Sequence, residues 1–267
     1  MPERKWDPRQ SKPRKPRDKS RFAPKPKPAR PGIPEGVVIL YGWHTVAAAL
    51  ANPRRKVRKI FATENGAHRL TSEGLVLPVA PEIARPDAIA ARLSPDAVHQ
   101  GLLVEAEPLP ALDLEDIEAD GTVLVLDQIT DPHNVGAILR SAAAFGAIGI
   151  VTQDRHSPPE SGVIAKAASG ALERVPWARV VNLARALEEI GEAGFWRIGL
   201  TGDADTDLKD ALGPQRVALV LGAEGPGLRL NTKEHCDALA RLPISEAIES
   251  LNVSNAAAVA LYAASTH

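Results

Sequence analysis

The 267-residue sequence predicts an α/β protein: a mostly parallel sheet in its second half, preceded by a smaller α/β module and a basic tail. Three observations carry this expectation. Short apolar runs alternate with helix-length segments from residue 121 onward, the pattern of strands joined by crossover helices. Those runs are apolar throughout, as in strands covered on both faces. The first 30 residues hold twelve Lys or Arg, three acids and seven prolines, and the remaining residues carry 20 basic against 30 acidic side chains. Such a segment buries too little apolar surface to offset its ordering entropy, so residues 1–35 are expected to be a disordered polycation, which either binds polyanions through counterion release or serves as a solubilising tail.

The module spans residues 36–107. Val37–Leu40 reads as a strand and Gly42–Ala51 as an alanine-rich helix stopped by Asn52-Pro53. Val57–Ala62 reads as a strand, Leu75–Ala80 as another, Pro86–Leu93 as a short helix and Gly101–Glu105 as a closing strand. The Pro-containing, acidic stretch 108–120 is expected to be a linker. In the second domain, 121–267, strands are expected at Val123–Leu126, Ile148–Val151, Trp196–Leu200, Val217–Leu221 and Leu239–Leu242. The helices between and after them are expected at Val135–Phe145, Ser161–Leu172, Leu183–Glu192, Thr232–Cys236 and Val253–Ala264.

Composition narrows the function classes. No window holds the ~18 uninterrupted apolar residues of a membrane helix, and the N-terminus has no apolar leader core, so a cytoplasmic protein without a membrane partner is expected. One cysteine, Cys236, rules out an internal disulfide and a Cys-based zinc cluster, and the seven histidines lack metal-site spacing, so no metal is expected. Neither domain's first strand is followed by G-x-G-x-x-G, which removes the nicotinamide-dependent enzymes.

Three segments sit at the carboxyl ends of expected strands, where open α/β sheets bind ligands. The first, Asp127–Arg140, starts a helix at Asp131-Pro132, with Asn134 in the first turn and Arg140 six residues on, expected to face the same cleft. By pattern alone it also fits an ordinary capped helix with a surface arginine. The second, Leu221–Leu228, places Glu224 among glycines that let a backbone approach a ligand. Such an acid needs a partner, Arg140 or a cationic ligand. The third, Ser250-Leu251-Asn252-Val253-Ser254-Asn255, offers several N-caps to the last helix.

In this order and spacing the three segments resemble the signature motifs of the SpoU (TrmH-type) RNA ribose 2′-O-methyltransferases of the SPOUT superfamily. The Tyr41-to-Val46 opening and the His99-Gln100-Gly101 closing of the first module are similar to the family's L30e-like substrate-binding domain. The resemblance implies a trefoil-knotted C-terminal domain, with the knot formed by loops around Thr201, Leu221–Gly227 and Leu242–Asn252. It implies S-adenosyl-L-methionine as cofactor and a homodimer. It implies cofactor contacts at Thr201, Gly222, Leu242 and Leu251, and an active site of Asn134, Arg140, Glu224, Ser250 and Asn252, with Glu224 fixing the Arg140 fork. The implied substrate is RNA, with a guanosine of large-subunit ribosomal RNA ahead of tRNA; a catalytically silent RNA-binding knot protein is the other reading.

Overall fold

The computed structural model describes residues 36–117, 120–213, 216–245 and 247–267. The basic tail of residues 1–35 lies outside the described residues. From Gly36 to His267 the chain forms one compact unit.

The first module begins with β1 (Val38–Tyr41), α1 (Trp43–Ala51) and β2 (Val57–Ala62). Gly42, at φ 81°, turns the chain from strand into helix. That left-handed backbone suits a residue without a Cβ. The segment after β2 departs from expectation. No element is expected between Ala62 and Leu75, yet Thr63 accepts a hydrogen bond from Gly66 N at 3.1 Å and starts α2 (Glu64–Ser72). A capping hydroxyl with Glu64 in the first turn outweighs the poor propensity of Gly66. The expected strand Leu75–Ala80 is not a strand. Leu75, Leu77 and Val79 pack against the core, and the ladder instead begins at β3 (Glu82–Ile83). The module closes with α3 (Pro86–Ala90) and β4 (Leu102–Ala106), in the sheet order β1-β4-β2-β3.

The second sheet is parallel throughout, in the order β10-β8-β9-β5-β6-β7. Its strands are β5 (Thr122–Leu126), β6 (Gly149–Gln153), β7 (Trp177–Val180), β8 (Trp196–Leu200), β9 (Val217–Leu221) and β10 (Ala238–Ala240). The helices are α4 (Pro132–Ala144), α5 (Gly162–Ala168), α6 (Leu183–Glu192), α7 (Leu208–Ala211), α8 (Leu230–Glu234) and α9 (Val253–Ser265). Both faces of the sheet are covered. Leu124 and Leu126 of β5 join a core with α4, α5 and α9, which runs on into the first module, whereas Val123 and Val125 pack with α6. The expected helix Ser161–Leu172 breaks at Ser169 and Gly170, both in the left-handed region, before a 3-10 turn at Ala171–Glu173. Its first turn is capped by Ser161.

Candidate active site

The parallel register aligns the carboxyl ends of four neighbouring strands. Leu126 of β5 pairs with Leu221 of β9, Leu221 with Leu200 of β8, and Leu200 with Ala240 of β10. Asp127, Gly222, Thr201 and Arg241 therefore emerge side by side at one edge, with Leu242 one residue further on.

Two helices and a glycine loop meet at this edge. Asp131 accepts from His133 N at 2.9 Å and Pro132 takes the first helical position of α4, which places Asn134 in the first turn, 7% exposed. The loop after β9 folds back on itself, with Gly227 N donating to Ala223 O at 2.9 Å. A Cβ at Gly222 would lie 2.2 Å from the Gly227 carbonyl carbon, so the loop closes only around a glycine. At the far side Asn252 caps α9, its Oδ1 accepting from Ser254 N at 2.9 Å and Ser254 Oγ at 2.6 Å.

These three elements share one cluster. Asn134 Nδ2 donates to Glu224 Oε1 at 3.1 Å, Asn252 Nδ2 donates to the same oxygen at 2.6 Å and to Asn134 Oδ1 at 3.0 Å, and Val253 N reaches Glu224 Oε1 at 3.4 Å. A carboxylate at the N-terminus of α9 is also favoured by the helix dipole. Side chains separated by 90 and 118 positions in sequence thus hold one another in place.

Arg140 does not join them. It is exposed on α4, and its guanidinium has no hydrogen bond or ion pair among the described residues. Six residues advance a helix by about 600°, which turns Arg140 some 120° away from Asn134. Glu224 is therefore held by two carboxamides rather than by the Arg140 fork. Ser250 is exposed in the loop before α9, and Leu251 is half-buried there. Thr201 donates through its hydroxyl to Asp203 and through its backbone N–H to Ala240 O at 3.0 Å. Bonds from Thr201 and Lys233 hold the Asp203 carboxyl below its usual range.

Asp127 is the residue whose part the sequence conceals. It is fully buried, and accepts from Arg229 Nε at 2.8 Å, Arg229 N at 3.2 Å and Thr232 Oγ1 at 2.7 Å. It thereby pins the exit of the glycine loop to the end of β5. The available signal was an acid ending an apolar strand, which cannot remain buried unpaired.

The edge also suits a planar, partly apolar ligand with a polar tail. Leu242 and Leu251 are half-buried, Ile244 is 40% exposed, and a Cβ at Gly202 would meet nothing within 4 Å. Among the described residues no cluster of three or more His, Cys, Asp or Glu could hold a metal.

Comparison with known proteins matches residues 121–262 to the SpoU rRNA Methylase family and residues 39–112 to a family described as RNA 2′-O ribose methyltransferase substrate binding. A Ralstonia nicotianae protein named 23S rRNA (guanosine-2′-O-)-methyltransferase RlmB is 41% identical over 236 residues, covering 85% of this chain and 94% of its own length. The Escherichia coli protein of the same name is 36% identical over 240 residues, covering 85% of this chain and 97% of its own. The SpoU methyltransferase AviRb of Streptomyces viridochromogenes, solved in complex with the cofactor AdoMet, aligns with a TM-score of 0.75 over 86% of this chain and 90% of its own. At 24% identity that likeness bears on the fold. With one family model spanning more than half of the sequence and close relatives along most of it, the chain belongs to the SpoU rRNA methylase family.

Proposed function

We propose that this chain is an S-adenosyl-L-methionine-dependent RNA methyltransferase acting on the ribose 2′-hydroxyl of a guanosine in large-subunit ribosomal RNA. The observation that carries the proposal is the joining of Asn134, Glu224 and Asn252 at the aligned strand ends. A catalytically silent RNA-binding protein is the other reading, and absence of methyl transfer would favour it. The RlmB names of the relatives support the substrate.

Residues 36–107 serve in this reading as the RNA-binding module, 108–120 as connector and 121–267 as the methyltransferase domain. The loops after β8, β9 and β10 form the trefoil knot. In its support, β10 lies at the sheet edge beyond β8 while α9, which follows it in the chain, packs on α4, β5 and β9. Thr201, Gly222, Leu242 and Leu251 would hold the cofactor, the leucines against its planar part and the backbone against its polar groups. When bound, S-adenosyl-L-methionine supplies a methyl group activated by a sulfonium.

The chain's own residues must align the hydroxyl and manage its proton. Alignment alone can lower such a barrier by ~7–11 kcal/mol, and a cross-bonded carboxamide–carboxylate cluster is a rigid surface on which to achieve it. Among the described residues, all bonds to Glu224 fall on Oε1. Oε2 remains to accept the hydroxyl proton. A guanidinium is a poor base, so Arg140 acts as an RNA-phosphate ligand and a stabiliser of developing negative charge. Ser250, in the loop leading to Asn252, contacts the ribose.

The proposal includes a homodimer formed through the outward faces of α4 and α9. These faces expose Ala143, Ala144, Val259 and Tyr262 beside Arg140, and the Phe145 and Tyr262 rings meet edge-on at 5.9 Å. It also places the protein in the cytoplasm with its substrate; among the described residues no helix is long and apolar enough to cross a membrane.

The test is methyl transfer from labelled S-adenosyl-L-methionine to 23S rRNA, followed by mapping of the labelled ribose. Label on a guanosine 2′-oxygen is expected. Label on tRNA instead would move the substrate, and binding of NAD without binding of S-adenosyl-L-homocysteine would overturn the enzyme class. Arg140→Ala is expected to lose transfer while S-adenosyl-L-homocysteine still binds in calorimetry. Unchanged turnover would remove Arg140 from the active site.

A further inference from the structure

The first module is held against the catalytic sheet by unusually directional contacts, all of them made to or beside α5. A Cβ at Gly162 would come 2.3 Å from the Ile39 carbonyl oxygen and 3.0 Å from the Tyr41 ring. The Thr45 hydroxyl donates to Ala165 O at 3.1 Å, and Lys166 Nζ reaches Gln100 Oε1 at 3.5 Å. On its other side α5 meets α4 as closely: a Cβ at Gly136 would lie 2.5 Å from Ala167 Cβ and 2.7 Å from Ile164 O. Asn134 stands two residues before Gly136. A single helix thus separates the module from the site, with glycine-close contact on each side.

Beside this helix lies a buried ion cluster that crosses the same junction. The Arg55 side chain, from the loop after α1, is fully buried. Its Nη2 meets Glu173 Oε1 at 2.5 Å and its Nη1 meets Glu160 Oε1 at 2.6 Å, while Nη1 also donates to Glu107 O at 2.8 Å. Asn52 Nδ2 donates to Glu173 Oε2 at 2.7 Å, and Leu109 N donates to Glu160 Oε2 at 2.9 Å. Burial pushes the Glu160 carboxyl up, against the pull of Arg55. Such a cluster is a poor source of stability, because apolar side chains of similar volume often do as well or better. A forked guanidinium held by two carboxylates does impose direction, which apolar packing does not. Domains move relative to one another by default unless their interface is large and hydrophobic, and here one apolar core joins Val38, Leu40 and Val46 of the module to Ile164 and Ala168 of α5.

We propose that the module is a fixed arm rather than a tethered one, with Arg55 and Glu173 as positioning residues that set the distance from its RNA-binding surface to the Asn134–Glu224–Asn252 site. The substrate class that fits a fixed arm is a folded RNA, in which the recognised element and the reacting ribose are themselves held at one spacing. This inference rests on the RNA methyltransferase reading, but its test does not require turnover.

Spin labels are placed at Val76→Cys in the module, 81% exposed, and at Val181→Cys in the catalytic domain, 67% exposed, in the full chain. The half-buried Cys236 thiol, pushed up to about 12 by desolvation, is replaced by Ser in the labelled chain. A single narrow interlabel distance is expected, unchanged when 23S rRNA fragment is added. A broad distribution, or a shift on adding RNA, would overturn the proposal. The triple variant R55M/E160Q/E173L removes the cluster without leaving a buried charge unpaired. It is expected to broaden the distance and to raise KM for the folded fragment by about tenfold, with kcat and the KM for S-adenosyl-L-methionine unchanged. A narrow distance with wild-type KM in that variant would sink the positioning role. Should the variant not fold, the distance in the unaltered chain still decides, and absence of methyl transfer would discredit the enzyme reading while leaving the distance intact.

Discussion

Asn252 performs two tasks with the two ends of one carboxamide: Oδ1 caps α9 and Nδ2 ties Glu224 to Asn134. Serine caps a helix about as well as asparagine. Asn252→Ser should therefore leave the melting temperature within a few degrees of wild type while removing both site bonds. A bond to a charged group is worth about 1.5–3 kcal/mol, so turnover should fall by roughly ten- to a hundredfold. Equal turnover, measured with labelled methyl donor, would show that the cluster is only a helix cap. Cys236 is half-buried, and its Sγ donates to Thr232 O at 3.3 Å. Desolvation pushes its thiol up to about 12, so the protonated form prevails at pH 8 and thiolate chemistry is suppressed. Native protein should react far more slowly with a thiol reagent at pH 8 than unfolded protein, and equal rates would contradict this placement. At this scale the sequence made Asn134, Glu224 and Asn252 legible as one group through their order and spacing. It could not show that two carboxamides hold Glu224 in place of Arg140, because a helical turn separates residues that the linear motif sets close together.

The elements that position the cluster depend on one close approach. Alanine at Gly136 would gain about 1 kcal/mol of helix propensity. It would also force a Cβ to 2.5 Å from Ala167 Cβ and 2.7 Å from a backbone oxygen on α5. Overpacking of that kind costs typically 1–3 kcal/mol, and these neighbours include backbone that cannot rotate away. Gly136→Ala should thus lower stability by up to about 2 kcal/mol in urea melts and, by shifting Asn134, lower turnover as well; a stabilised and fully active variant would refute the packing. The catalytic strands were readable because they are apolar on both faces, and β8 and β9 match their expected bounds. β7 was not readable, as Trp177-Ala178-Arg179-Val180 is an edge strand whose arginine lies against Asp154 and the Trp177 ring. Helix α2 was hidden by Asn65-Gly66, and the break in α5 by an apolar pattern that continues through Ser169 and Gly170 while the backbone reverses. In each case a local cap or left-handed residue decided the boundary, a signal weaker in sequence than periodicity.

For the molecule as a whole, the charge distribution sets the last expectation. Twelve basic residues against three acids occupy the first 30 positions, and the rest carries 30 acids against 20 bases. Much of the basic surface of the body is already committed: Arg55, Arg58, Arg92, Arg179, Arg197, Arg229 and Arg241 all face carboxylates. The body alone therefore repels a polyanion at long range, and under the proposed function it depends on local contacts in the module and at Arg140. Each phosphate neutralised by a cation contributes about 0.7 to the slope of log affinity against log salt for single-stranded nucleic acid. If half of the tail cations engage phosphates, removing residues 1–30 should flatten that slope by roughly 4 and weaken binding most at low salt, where counterion release is most favourable. Turnover at saturating RNA should change little, because the cluster at the strand ends does not include the tail. Filter binding across a salt series, with and without residues 1–30, makes the comparison. Identical slopes would mean that the tail touches no phosphate, and the acidic body would then have to bind RNA through its module and Arg140 alone.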